Sequence, residues 1–288
     1  MAQITAALVK QLREMTGAGM MECKKALVET DGNLDAAVDE LRKRGLAAAA
    51  KKAGRATNEG RVNSVVEGAV GAVCQINCET DFVALTDKFQ SYVEFFTNAV
   101  VENDPADVEA LLASEYKGAK VQDELTEAIH VIGENMQIAN FKRLTVEGTG
   151  ALVPYIHMNG KIGVLVSFKF GDEATAADER FLAMGKDVAM QIAALNPVSI
   201  DSESVPAEIR EHEMAIYVAQ AAESGKPENI QQKIAEGRMH KFYKESCLLE
   251  QDFVKDSDLS VGAYVKKVAK DLGDEISVVD FARIALGD

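Results

Sequence analysis

The chain has 288 residues, of which 47% are hydrophobic and 27% charged, enough to bury more than one core. A formal net charge of -15 argues against a nucleic-acid surface, because neutralising phosphates takes clustered Lys and Arg, so the expected partner is a protein. Four cysteines, no apolar run long enough to span a bilayer and no signal-peptide core at the N-terminus point to a reducing cytoplasm, with no membrane contact.

The first segment reads as three short helices. Thr5 can cap one whose apolar face is Leu8, Leu12 and Met15, with Gly17 ending it. Glu22 to Glu29 forms a second, closed by Asp31-Gly32, and Asn33 caps a third that carries Leu34, Val38 and Leu41 and ends at Gly45. Between the first two, Gly17-Ala18-Gly19-Met20-Met21 is a tight turn in which two adjacent methionines cannot both face one core; one of them is expected on a docking surface. Residues 42 to 61 form a local basic stretch, with Arg42, Lys43, Arg44, Lys51, Lys52, Arg55 and Arg61 against Glu59 alone, and read as a solvated connector.

Strands follow. Arg61 to Val66 and the run from Ala69 to Cys78 suggest an antiparallel pair, the second with Ala72, Cys74, Ile76 and Cys78 on one face and Val73, Gln75 and Asn77 on the other. Cys74 and Cys78 lie too far apart along a strand for an easy disulfide and have no His nearby to complete a zinc set, so buried thiols are expected. From Thr86 the period turns helical through Phe89, Val93, Phe96 and Val100, which makes Thr80 to Leu85 a strand-to-helix corner that exposes an acid and an aromatic side by side. A further helix is expected from Val121 to about Ile138, with Leu125, Ile129, Ile132 and Met136 on its face.

Phe141 to Glu147 and Tyr155 to Met158 are strand candidates, and Asn159-Gly160 signals a type I′ turn into the strict alternation Ile162, Val164, Val166, Phe168, Phe170. Phe181, Gly185, Val188, Ile192 and Leu195 mark a helix stopped at Asn196-Pro197. Ala207 to Glu223 and Glu228 to Ser246 are charged helices joined by Ser224-Gly225-Lys226-Pro227, a helical hairpin with a thin stripe of Ile209, Ile216, Ile230 and Ile234. Val261, Val265, Val268 and Leu272 give one more helix, and Ile276 to Leu286 a closing strand.

Two long stretches look like a family signature: Leu12-Arg13-Glu14-Met15-Thr16-Gly17-Ala18-Gly19-Met20-Met21-Glu22-Cys23-Lys24-Lys25-Ala26-Leu27, and Ile76-Asn77-Cys78-Glu79-Thr80-Asp81-Phe82-Val83-Ala84. Shorter matches at Ser224-Gly225-Lys226-Pro227 and Glu236-Gly237-Arg238-Met239-His240-Lys241-Phe242 follow in the same order. Together they resemble bacterial-type translation elongation factor Ts. The resemblance implies an α+β chain: a ubiquitin-associated-like three-helix module with the start of a connector over residues 1–54, and a core of two similar α/β subdomains with antiparallel sheets over 55–140 and 141–288. An antiparallel helical hairpin is inserted at about 205–246. Some members of the family carry a further helix after the last strand, where this sequence ends at Asp288.

The function implied is guanine-nucleotide exchange on the GTPase elongation factor Tu, without covalent chemistry and without a bound cofactor or metal. Thr80, Asp81, Phe82 and Val83 would dislocate the partner's Mg²⁺, and Met20, Met21, Lys24, Lys52, Ile132, Gly133 and His157 would be further contacts. A homodimer within a larger complex is left open, and the rival reading is an adaptor that holds the GTPase without emptying it.

No catalytic constellation competes. The chain has no G-x-x-x-x-G-K-[ST] loop and no H-E-x-x-H, and its G-x-G at Gly17 to Gly19 follows no strand. His130 falls on a helix face, while His212 and His240 fall on the hairpin. An enzyme would have to recruit Glu79 and Asp81, and no third acid or His accompanies them in the corner's sequence. For an isolated Asp-Phe, the ordinary roles would be a helix cap and a core aromatic.

Overall fold

The computed structural model describes residues 4–16 and 18–287; Gly17, expected to end the first helix, lies outside the described residues. Chain contacts divide into two units, one made of Met1–Asn63, Cys74–Phe141 and Ile284–Asp288, the other of Ser64–Val73 and Lys142–Arg283.

The first unit begins with α1 (Ala6–Thr16), α2 (Met20–Glu29) and α3 (Leu34–Lys52). Thr5 Oγ1 accepts the Leu8 amide at 3.2 Å, and Asn33 Oδ1 accepts that of Ala36 at 3.1 Å, so both expected caps form. The face of α1 that is buried is Val9 and Leu12, while Met15 is exposed. Met20 and Met21 already belong to α2, because the helix starts immediately after Gly19. Gly45 does not end α3. It sits inside a 19-residue helix and faces α7, where an added Cβ would lie 3.6 Å from that of His130. His130 is accordingly buried, its side chain 6% exposed and 3.5 Å from Glu22.

The elements that follow are β1 (Glu59–Glu67), β2 (Val70–Cys78), α4 (Asp81–Ala84), α5 (Asp87–Asn103), α6 (Val108–Ala113), β3 (Glu115–Tyr116), β4 (Ala119–Lys120), α7 (Val121–Ile132) and β5 (Met136–Thr145), of which the first unit takes β1 up to Asn63, β2 from Cys74 and β5 up to Phe141. Strand β2 lies between β1 and β5. Val73 and Gln75 are buried as well as Ala72, Cys74 and Ile76, so the strand is covered on both faces rather than half-buried. The helix expected to reach Ile138 stops at Ile132, because Gly133 takes the left-handed conformation at φ +86° and caps it. Met136 then begins a strand instead of a fourth helical turn.

The second unit contains β6 (Gly150–His157), β7 (Ile162–Phe170), a 3-10 turn η1 (Glu173–Ala177), α8 (Glu179–Leu195), α9 (Ala207–Ala222), α10 (Glu228–Ser246), β8 (Asp252–Phe253), β9 (Asp256–Ser260), α11 (Val261–Leu272) and all but the last two residues of β10 (Ile276–Ala285). Strands β6 and β7 pair antiparallel from Gly150↔Lys169 to His157↔Ile162. The reversal has positive φ at Met158 and Asn159 as well as Gly160, so it begins one residue before the expected Asn-Gly pair. Pro154 lies in β6, an edge strand of the order β10-β7-β6, where a missing N–H costs nothing. Helix α8 approaches β6 closely at Gly185, where a Cβ would come within 2.8 Å of Val153. Phe168, Phe181, Met184 and Ile192 are wholly buried in this unit's core. In the hairpin of α9 and α10 the buried seam is Ala221, Ala235 and Met239; the expected isoleucines are only partly covered, and Ile230 is 36% exposed.

The two sheets repeat one plan. In each, two adjacent strands are followed by helices, a two-stranded ribbon, one more helix and a returning third strand, and the second strand is central. The antiparallel sheets with flanking helices and the inserted helical hairpin are the α+β architecture expected from the sequence.

Candidate functional site

The corner between β2 and α5 is built around the four-residue helix α4. Thr80 is extended at φ -128°, ψ 150°, and its Oγ1 accepts the Val83 amide at 3.4 Å, so the cap is Thr80 and Asp81 occupies the first turn behind it. Asp81 is exposed, and Phe82 is 79% exposed, the highest value of any large apolar residue described. Leu85, 62% exposed, extends this apolar tip and was not signalled by the sequence. Thr86 then caps α5 by accepting the Phe89 amide at 3.2 Å, and Phe89 is buried. The ordinary roles for an Asp-Phe pair, cap and core residue, are thus filled by Thr80 and Phe89.

A second loop holds this corner. Glu134, just after the α7 cap, accepts the amides of Glu79 and Thr80 at Oε2, both at 3.0 Å, and the Thr80 hydroxyl donates to its Oε1 at 2.7 Å. Reciprocally, Glu79 Oε1 accepts the Asn135 amide at 2.6 Å and the Arg55 guanidinium at 3.3 Å. Asn135, 2% exposed, donates its side-chain amide to the Arg55 carbonyl at 2.9 Å. The corner therefore does gain a third acid, brought from 54 residues away, but that acid is occupied by backbone amides. No cluster of three His, Cys, Asp or Glu able to hold a metal occurs among the described residues.

Cys78 Sγ donates to the Thr80 carbonyl at 3.2 Å, and burial, reinforced by the Glu134 charge, pushes its thiol up to about 12. Burial likewise pushes Cys74 up to about 12, so both thiols stay protonated and act as small apolar fillers.

The other residues singled out by sequence have separate settings. Lys52 Nζ donates to the Ile129 carbonyl at 3.2 Å, sharing it with the Gly133 amide, which places its cation at the negative C-terminal end of the α7 dipole. Ile132 is half-buried at the end of α7, and Gly133 is exposed and immediately precedes Glu134. Met20 and Met21 are 55% and 75% exposed on the first turn of α2, and Lys24 is exposed one turn on. His157, in the second unit, is exposed at the end of β6, its Nδ1 2.9 Å from the Tyr155 hydroxyl. Glu134 and Asn135 carried no sequence signal, because nothing in an Ile-Gly-Glu-Asn run says which distant amides its carboxylate will meet.

The family model described as elongation factor TS matches residues 79–288. The elongation factor Ts of Trichlorobacter lovleyi is 49% identical over 99% of this chain and 93% of its own length. That of Symbiobacterium thermophilum is 44% identical over 100% and 93%, and that of Desulfovibrio desulfuricans 45% identical over 99% of each.

Proposed function

We propose that this chain, which belongs to the elongation factor Ts family, accelerates GDP release from the GTPase elongation factor Tu by inserting the Thr80-Asp81-Phe82-Val83 corner beside the partner's Mg²⁺ and nucleotide site. The observation that carries the reading is Phe82, 79% exposed beside the exposed Asp81 on a turn whose base is held by hydrogen bonds. Burying an aromatic ring is worth about 1.5 to 3 kcal/mol. A protein that leaves such a ring in water on a braced corner has it available for a partner's surface.

Exchange demands more than binding. Nucleotide and exchange factor must each weaken the other's hold on the GTPase, and that coupling is reciprocal. Shifting an equilibrium by about four decades takes roughly 5.5 kcal/mol of differential affinity, more than one Phe supplies. The remainder comes from the GTPase, where Mg²⁺ bridges phosphate oxygens in an octahedral shell that tolerates little distortion. Phe82 acts as a wedge beneath the nucleotide site, Asp81 disturbs the groups that organise Mg²⁺, and Thr80 and Val83 keep the corner in shape. Met20, Met21, Lys24, Ile132, Gly133 and His157 supply surrounding contact. Lys52 contributes through the end of α7, to which its ammonium is bonded.

Release of labelled GDP from the GTPase, with and without this chain and across Mg²⁺ concentration, is the test. Acceleration that is strongest at millimolar Mg²⁺ is expected; a stable complex with unchanged release would make the chain an adaptor.

A further inference from the structure

We infer that Glu134 is a positioning residue for nucleotide release, its carboxylate setting the direction in which Asp81 and Phe82 leave the corner; the inference rests on the corner reading above. Helix α4 has four residues and cannot hold itself in water, since a helical nucleus is unfavourable until longer runs form. The ring of Phe82 has little packing to hold it, because most of its surface is open. Its direction is therefore inherited from the residues before it, and both backbone amides entering the turn, those of Glu79 and Thr80, end on one oxygen of Glu134.

The Thr80 hydroxyl carries the same control one step further. It has one proton and two lone pairs. Giving the proton to Glu134 at 2.7 Å leaves a lone pair for the Val83 amide at 3.4 Å, so the carboxylate orients the cap that starts α4. Glu134 is itself on a fixed stem. The left-handed Gly133 precedes it, and the buried Asn135 follows, its amide on Glu79 and its side chain on the Arg55 carbonyl. Charge-assisted bonds of this kind are about twice as strong as neutral ones.

The second unit contains the same device without the aromatic. Asp274, immediately after the left-handed Gly273, accepts the Gly171 amide at 2.8 Å, the Asp172 amide at 3.2 Å and the Thr175 hydroxyl at 2.6 Å. It is an internal control for a clamp that holds a turn and nothing more.

The experiment measures labelled GDP release from the GTPase at saturating full-length chain, and separately the concentration giving half-saturation, for Glu134→Ala, Phe82→Ala, the double variant and Asp274→Ala, with thermal unfolding of each. Glu134→Ala is expected to slow saturated release by about 100-fold, the effect of a roughly 1 Å misplacement, with a much smaller change in half-saturation. The double variant should be slower than Phe82→Ala by clearly less than the whole Glu134 factor, because the share of that factor that acts through the ring is already lost. Asp274→Ala should lower the unfolding temperature and leave saturated release at the unsubstituted rate. If Glu134→Ala does not fold, Glu134→Gln, which retains one acceptor oxygen, should slow release in the same direction. Unsubstituted release in the folded Glu134 variant, or a double variant slower than Phe82→Ala by the whole Glu134 factor, overturns the inference while the corner reading stands. Phe82→Ala that releases GDP at the unsubstituted rate overturns the corner reading and this inference with it.

Discussion

Two eight-residue corners occupy equivalent places in the repeated plan, Glu79 to Thr86 after β2 and Gly171 to Asp178 after β7. Each is clamped by a carboxylate that follows a glycine-capped helix, Glu134 in one and Asp274 in the other. Their contents differ. The first holds Phe82, Val83 and Leu85, two of them more than half exposed, while the second holds Asp172-Glu173-Ala174-Thr175-Ala176-Ala177 and no bulky apolar residue. In the second, Asp172 caps η1 and Arg180 bonds both Asp178 and the Asp271 carbonyl, so its polar groups are spent within the unit. The clamp is thus architecture common to both halves, and the exposed apolar tip is what sets the first corner apart from the second.

The largest effect that would sharpen the comparison is on stability. Phe181, fully buried just after the second corner, should cost about 3 to 5 kcal/mol as Phe181→Ala, whereas Phe82→Ala should stay within about 0.5 kcal/mol while losing accelerated GDP release. Denaturant unfolding and exchange measured on the same samples check both. A core-sized loss at Phe82 would break the distinction.

Next in size is the charge at Asp81. Asp81→Asn keeps shape and most hydrogen bonding, so its deficit in GDP release should be large at millimolar Mg²⁺ and shrink when a chelator has already removed the metal. A deficit indifferent to Mg²⁺ would assign Asp81 to turn structure.

A smaller, acid-limb effect belongs to the second clamp. The Thr175 hydroxyl, ahead of the Asp172 and Gly171 amides, lowers the Asp274 carboxyl below its usual range. A lowered folded-state pKa contributes stability that is present above the unfolded value near about 3.9 and is lost as pH falls through the folded one. Asp274→Asn should therefore flatten the fall in melting temperature below about pH 4; an unchanged acid limb would show that the clamp's charge is idle.

The smallest change lies behind the first corner. Gly45→Ala adds a methyl at ordinary contact distance from His130 within a helix, and should stabilise the chain by at most about 1 kcal/mol. A loss instead would mean that α3 and α7 have no room to give.

Much of this was legible in the residues. The alternation from Ile162 to Phe170 and the helical spacing of Val261, Val265 and Val268 each specify an element through the local period of apolar side chains, the Gly-Pro break specifies the hairpin's turn, and each forms where those residues place it. So did the exposure of Phe82, because a strand period ends and a helical one begins on either side of it. Where the period was ambiguous, expectation failed: Ile132 and Met136 stand four apart, as on a helix, yet Gly133 at φ +86° separates a helix end from a strand start. Gly45, read as a stop, is instead the place where two helices approach.

The sequence by itself determined most of the longer elements, the exposed corner and the family signature, since all three are carried by residues close together in the chain. Only the tertiary structure decided which carboxylates hold the corners, that Lys52 bonds the last turn of α7 and that β2 is buried on both faces. Hydrogen-bond acceptors from loops 54 or 99 residues away are selected by sheet pairing and helix packing, and no local period records that choice.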